Sequence, residues 1–382
     1  MITPIQRSLK IELNGSRAAF LWGPRKVGKT TLVRQQFPRA KLYDLLDSEL
    51  KTQLVLRPAL LREEVLASRP SLVIIDEVQK VPELLDEVHW CLENTDTRFL
   101  MCGSSARKLR RHAANLLGGR AWRFELFPFT TEEIGTKDLD RILNHGLVPQ
   151  HYLEEKPERS LRSYVLDYLE QEIYAESVVR NLPAFARFLD AVALSHGQLI
   201  NYANLARDSG VSAKTAREYF QILEDTLLGH TLPPWRKSRK RRLIETARFY
   251  LFDPGVVRAL AGMHLLQPRT EEYGRAFEHF LIEEVRAFLA YREKSLPLSF
   301  WRTSTGLEVD LLVGGIELAI EFKACPFVDE RHAQGLVALL EDQPVKRALL
   351  VSLDKAPRQL HRGIEVLPWQ IFCQRLWAGD LV

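Results

Sequence analysis

Eight consecutive residues, Gly23-Pro24-Arg25-Lys26-Val27-Gly28-Lys29-Thr30, match the spacing G-x-x-x-x-G-K-[ST] in full, and Thr31 follows as a further residue of the site. Glycines at both ends of such a loop let it turn tightly, so that main-chain N–H groups point inward and cradle phosphate oxygens. Lys29 adds positive charge where the terminal phosphates of a nucleoside triphosphate would lie, and the Thr30 hydroxyl can ligate Mg²⁺. Farther along, the apolar run Ser71–Ile75 ends in the acidic pair Asp76-Glu77. Asp76 is expected to hold Mg²⁺ through water and Glu77 to act as general base on the attacking water, so the pattern predicts hydrolysis as well as binding. The run Arg98–Gly103 ends in Ser104 and Ser105, with Ser104 or Ser105 expected to sense the γ-phosphate. Arg107, Arg120 and Arg123 follow, and Arg120 is the candidate arginine finger, acting in cis or from a neighbouring subunit.

The last third holds a second constellation. Glu308-Val309-Asp310 and Glu321-Phe322-Lys323 flank a Gly314-Gly315 hairpin signal, and strand alternation puts Glu321 and Lys323 on one face. Asp310 and Glu321 could hold Mg²⁺ against a phosphate while Lys323 orients or deprotonates water and stabilises a pentavalent phosphorus. Glu278 adds a carboxylate from the preceding helical segment. Isolated charges in apolar strands also need partners when no ligand is bound. A buried ion pair of Lys323 with Glu321 or Asp310 is therefore the competing structural expectation.

Both constellations need elements to position them. Short apolar runs at 17–22, 41–45, 71–75, 98–102 and 122–126 alternate with amphipathic segments, the pattern of a parallel sheet covered by helices. The phosphate loop follows the first of these strands and opens the helix after it. Helical patterns dominate from about residue 159. From about residue 270 a long amphipathic helix leads to strands near 299–302, 308–313, 317–322 and 345–353. No internal repeat is present.

Between these parts, residues 199–225 have the texture of a helix-turn-helix. Tyr202, Leu205 and Ala206 mark a first helix, Gly210 the turn, and Ser212 a cap for a second helix. Ala216, Tyr219, Phe220 and Leu223 form the apolar stripe of that second helix, leaving Lys214, Thr215, Arg217 and Glu218 outside. The basic run 236–242 and the strand-like Phe249–Phe252 follow, as in a winged helix whose wing grips nucleic-acid phosphates. A protein partner is the alternative use of such a module.

Bulk properties narrow the classes. A chain of 382 residues is long enough for two or three domains. Its net charge of +4 permits DNA binding only where basic residues cluster. Four scattered cysteines without a C-x-x-C pair argue against a zinc site or a disulfide scaffold. No apolar run approaches the roughly 20 residues that span a bilayer, and the first ten residues lack the apolar core of a signal peptide. A cytoplasmic protein without membrane contact is expected.

Gly23–Thr31, the Ile74-Ile75-Asp76-Glu77-Val78-Gln79 strand end, Gly103-Ser104-Ser105-Ala106-Arg107, Leu116–Ala121 and Phe127-Pro128-Phe129-Thr130 together resemble a prokaryotic AAA-type ATPase family. In that family the ATPase is followed by a domain long described as of unknown function. The resemblance runs over essentially the whole chain. It implies ATP as the nucleotide, with Mg²⁺, and makes a homo-oligomeric ring plausible. Lys26 departs from the glutamine commoner at that place. The Asp310…Glu321-x-Lys323 arrangement resembles the restriction-endonuclease-like fold. The expected organisation is an α/β chain with three parts: a P-loop ATPase domain at 1–150, a helical winged-helix domain at 155–265, and an α/β restriction-endonuclease-like domain at 266–382.

Overall fold

The computed structural model describes residues 5–13, 17–105, 121–165, 181–237 and 242–382. The chain divides into two compact units, residues 1–128 with 222–228, and residues 129–221 with 229–382.

Among its described residues the first unit is built on five strands: β1 (Ala18–Trp22), β2 (Lys41–Asp44), β3 (Leu72–Asp76), β4 (Arg98–Gly103) and β5 (Ala121–Glu125). All pair in parallel in the order β2-β3-β4-β1-β5. Each of the five expected strands is present. Every residue of β3 is buried, as required of a parallel strand covered on both faces. Helices α1 (Lys29–Gln36), α2 (Ser48–Leu56), α3 (Ala59–Ser68) and α4 (Leu84–Asn94) return the chain between strands. Leu54, Leu61, Val65, Val88 and Phe99 belong to one core with Val73 and Ile75. Parallel pairing brings the C-terminal ends of β1, β3 and β4 to one edge, with Trp22 opposite Gly103 and Ile75 opposite Met101.

The second unit begins with short helices, then α5 (Leu182–Leu194) and α6 (Tyr202–Ser209), followed by residues 213–221 of α7 (Ala213–Asp225). Gly210 caps α6 at φ 70, a left-handed conformation that favours a residue without Cβ. The Ser212 hydroxyl accepts from Thr215 N at 3.0 Å. The stripe Ala216, Tyr219, Phe220 and Leu223 is buried, whereas Lys214, Arg217 and Glu218 are exposed. Strands β6 (Gly229–Leu232) and β7 (Arg248–Leu251) form an antiparallel hairpin, and Leu199 bridges to Arg248 beside it.

The described ends of the connection between β6 and β7 pair with a neighbouring strand. Trp235 N donates to Phe300 O at 2.6 Å, Ile244 N to Arg302 O at 3.0 Å, and Ser304 N to Arg242 O at 2.9 Å. Residues 234–235 and 242–244, on either side of the basic run, therefore lie along β8 (Leu298–Arg302) and its continuation, pairing donors and acceptors that an edge strand would otherwise expose. Residues 238–241 lie outside the described residues.

The rest of the unit is a mixed sheet with the order β12-β13-β11-β10-β9-β8. It comprises β8, β9 (Glu308–Val313), β10 (Leu318–Lys323), β11 (Arg347–Ser352), β12 (Arg358–Gln359) and β13 (Glu365–Pro368). The long helix α8 (Glu271–Tyr291) buries Phe277, Phe280, Leu281, Val285 and Phe288. Helices α9 (Gln334–Asp342) and α10 (Trp369–Ala378) complete it. Among the described residues no helix is long and apolar enough to cross a membrane.

Candidate functional site

β1 delivers the phosphate loop to the sheet edge. At Gly23 an added Cβ would lie 2.5 Å from Leu126 O, so only glycine passes there. Gly28 adopts φ 96, and its lack of a side-chain cap leaves the first N–H groups of α1 without a capping side chain. Such an N-terminus suits an anion. Lys29 is 5% exposed and donates to Gly23 O at 2.8 Å and Pro24 O at 3.0 Å.

Thr30 Oγ1 donates to Asp76 Oδ2 at 2.5 Å, although 46 residues separate them. Burial raises the Asp76 carboxyl above its usual range. The Thr30 bond and the Lys29 charge oppose that shift, while Glu77 adds to it. A buried carboxylate beside a hydroxyl fits a divalent cation whose remaining ligands are water and phosphate oxygens. Glu77 is buried and takes φ 57, with its N–H donating to Asp76 Oδ1 at 3.1 Å. Gln79 Nε2 lies 2.5 Å from Glu77 Oε2 and 3.0 Å from Ser104 Oγ. A Cβ at Gly103 would come within 2.6 Å of Gln79 Oε1 and 2.7 Å of Trp22, so Gly103 makes room for this bridge. Lys29, Thr30, Asp76, Glu77 and Ser104 are thus assembled at one sheet edge. Arg123 is exposed on β5. Arg107 and Arg120, with Leu116–Gly119, lie outside the described residues.

In the second unit Glu278 on α8, Asp310 on β9, and Glu321 and Lys323 on β10 converge. Lys323 Nζ donates to Glu321 Oε1 at 2.6 Å, and Phe322 N donates to Asp310 Oδ2 at 2.9 Å. Burial and the Asp310 charge push the Glu321 carboxyl up, against the opposing pull of Lys323. Burial and Asp310 likewise raise Glu278, with Arg248 opposing. Burial pulls the Lys323 ammonium down, but Glu321 and Asp310 outweigh it and hold the group above its ordinary range. Glu321 Oε2 is buried without a hydrogen-bond partner, an orphaned acceptor that a cation would satisfy. Among the described residues no group of three or more His, Cys, Asp or Glu side chains is arranged to hold a metal ion by itself. Any cation here must complete its shell with water or substrate oxygens.

Sequence reasoning missed Gln79, Arg248 and Tyr250. Arg248 donates to Glu278 Oε1 at 3.2 Å, pairs with Glu308, and lies over the Phe300 ring at 4.7 Å. Tyr250 OH donates to Glu278 Oε1 at 2.7 Å. An arginine opening the apolar run Arg248–Phe252 carries the same signal, an isolated charge in a strand, that singled out Asp310. Gln79 had no such signal, because only the fold brings it to Ser104. Arg248, Tyr250, Arg275, Arg302 and Glu278 line a cleft of about 540 Å³.

Residues 15–135 match the AAA domain, residues 136–267 a domain of unknown function (DUF8612), and residues 273–372 another (DUF4143). Two relatives are the uncharacterized protein Rv2008c of Mycobacterium tuberculosis and the uncharacterized protein Mb2031c of Mycobacterium bovis. Each is 30% identical over 344 residues, covering 87% of this chain and 76% of the relative. Among solved structures, the Walker-type ATPase PABY2304 of Pyrococcus abyssi aligns with 16% identity and a TM-score of 0.41, over 65% of this chain and 92% of its own. The Orc1 protein of Aeropyrum pernix in complex with DNA aligns with 12% identity and a TM-score of 0.29, over 64% and 86%. Identity of that extent with the mycobacterial proteins, with an AAA domain over the phosphate loop, makes this chain a member of one family with them.

Proposed function

We propose that this chain is a Mg²⁺-dependent ATPase whose nucleotide cycle serves a nucleic-acid-directed second half. One observation carries the reading: the 2.5 Å hydrogen bond of Thr30 Oγ1 to Asp76 Oδ2, beside Lys29 and the Glu77–Gln79–Ser104 chain. Lys29 exchanges its two loop carbonyls for β- and γ-phosphate oxygens of ATP. Thr30 and Asp76 would hold Mg²⁺, which when bound spreads the charge of the phosphate oxygens. Glu77 accepts a proton from the attacking water as its oxygen bonds to the γ-phosphorus and the bridging oxygen leaves with ADP. Gln79 fixes the Glu77 carboxylate and links it to Ser104, which registers the γ-phosphate.

In the second half, the order α5, Leu199 bridge, α6, α7, β6, β7 supports a winged helix with Lys214 and Arg217 exposed on α7. DNA is the proposed partner. Glu278, Asp310, Glu321 and Lys323 support a nuclease-like site, in which Asp310 and Glu321 would hold Mg²⁺ and Lys323 positions water. A homo-oligomer in which Arg120 reaches a neighbouring nucleotide belongs to the same proposal.

A second reading has its own observation. Lys323 and Arg248 already neutralise Glu321 and Glu278, so the domain could be an inactive scaffold of an ATP-dependent switch. Plasmid incubated with the protein and Mg²⁺ or Mn²⁺, with and without ATP, separates the two. Metal-dependent nicking supports cleavage, and ATP hydrolysis without nicking under any condition supports the switch. If chelation of Mg²⁺ leaves phosphate release unchanged, the ATPase reading itself fails.

A further inference from the structure

The described segment ahead of the phosphate loop alternates strictly in burial: Arg7, Leu9, Ile11 and Leu13 are buried. It is fastened at one end to the last residue of α1 and at the other to the loop ahead of α1. At the far end, the Gln36 side chain accepts from Ile11 N at 3.0 Å and donates to Leu9 O at 2.6 Å. At the near end, the Arg7 guanidinium donates to Val27 O at 2.5 Å, Phe127 O at 2.7 Å and Pro128 O at 3.1 Å. Val27 O belongs to the phosphate loop itself. Arg7 therefore ties the middle of that loop to the chain leaving β5. An ideal Cβ on Gly28 would lie 3.6 Å from Arg7 Nη1, which puts the cation directly behind the loop.

Peptide geometry turns this hydrogen bond into a functional statement. In a planar trans peptide the C=O and the following N–H point in opposite directions. Fixing Val27 O on Arg7 thus aims the Gly28 N–H away from Arg7, and Gly28 N–H is one of the donors such a loop offers to phosphate. Gly28 sits in the left-handed region at φ 96, and because glycine has a wide range of backbone conformations, an outside constraint helps the whole Val27–Gly28 peptide keep one orientation. We propose that Arg7 is a positioning residue for triphosphate binding: it orients the Val27–Gly28 peptide and adds positive charge behind the loop. The nucleotide site then includes a strap 16 residues before Gly23, outside the glycine-rich motif.

The proposal rests on the nucleotide-binding reading of the loop, and the experiment separates the two. Wild type, Arg7→Lys and Arg7→Ala, all as full chains, are titrated with Mg²⁺ and a non-hydrolysable ATP analogue by calorimetry. Their melting is followed without nucleotide. Loss of charge-assisted hydrogen bonds predicts that Arg7→Ala binds about tenfold or more weakly. Arg7→Lys should recover part of that loss, because it keeps the charge but cannot bridge three carbonyls. Low-millimolar guanidinium should tighten binding by Arg7→Ala and leave wild type unchanged. Should Arg7→Ala fail to fold, Arg7→Lys carries the test through its affinity at unchanged melting temperature. Variants that bind as tightly as wild type overturn the role of Arg7 alone, as does a loss of affinity in Arg7→Lys that only follows its melting. A wild type that binds no Mg–nucleotide overturns the loop reading together with it.

Discussion

Glu77 holds φ 57, a left-handed backbone that costs a residue with a Cβ on the order of 1 kcal/mol or more. The cost is tolerable because the Asp76 side chain accepts the Glu77 N–H and Gln79 holds its carboxylate. Glu77→Gln should therefore keep nucleotide affinity while turnover falls by about 100-fold or more, the usual scale for a general base. Equal phosphate release in that variant removes Glu77 from the base role. Lys29→Ala should abolish nucleotide binding in the same calorimetric titration. Away from this site, Glu284 accepts from Thr131 N, Thr131 Oγ1 and Trp377 Nε1 at 2.9, 2.7 and 2.8 Å. Burial pushes its carboxyl up from 4.5 to about 7. The folded state thus binds the extra proton between those values, so its contribution to stability is full below 4.5 and is lost as pH rises through about 7. Glu284→Gln removes that titration and leaves one donor facing another, at about 1–3 kcal/mol. Thermal melts should show the gap between wild type and variant narrowing from pH 5 to pH 7.5, and a widening gap contradicts the assignment.

At the scale of elements, the β6–β7 connection is the informative segment. Its composition suggests a solvated basic wing, yet Trp235 and Ile244 donate main-chain hydrogen bonds to β8. These flanking residues therefore cover the edge, and β7, which follows, carries Arg248 to Glu278. Ile244→Pro deletes one of these donors. It should speed hydrogen exchange along β8 relative to β10, and unchanged exchange would show that the edge is covered by other means. Lys214 and Arg217 remain exposed on α7. If the helix-turn-helix meets DNA phosphates, replacing Lys214, Arg217, Arg236, Lys237 and Arg242 by alanine should weaken binding. The salt dependence should flatten by about one unit of log–log slope for each phosphate deprived of its cation. An identical slope would point to a protein partner.

At the scale of the whole molecule, the two carboxylate sites stand in different compact units and can be silenced separately. If the second unit nicks DNA as proposed, Lys323→Ala should abolish that nicking and leave ATP hydrolysis within about twofold of wild type, since residues in separate sites with no shared partner act nearly additively. Paired loss of both activities would mean that the sites are one functional system. The family relationship supports the layout, with the AAA domain over residues 15–135 and the two further domains after it.

The phosphate loop, the strand carrying Asp76 and Glu77, and the Asp310…Glu321-x-Lys323 pattern were legible because each is local. Spacing along one strand or loop dictates which face a side chain takes, and apolar runs mark the strands that carry it. Arg7 and Gln79 were not legible as site residues, because their roles depend on chain segments about 20 and 25 positions away (Val27 and Ser104) being brought back beside them. Nor was the docking of the basic connection, since an edge strand's need for a covering partner appears only after the sheet order is set. Short-range patterning thus determined which residues are equipped for phosphate chemistry. The tertiary structure alone decided which groups hold them in place, because hydrogen bonds between distant segments leave no periodic trace in the sequence.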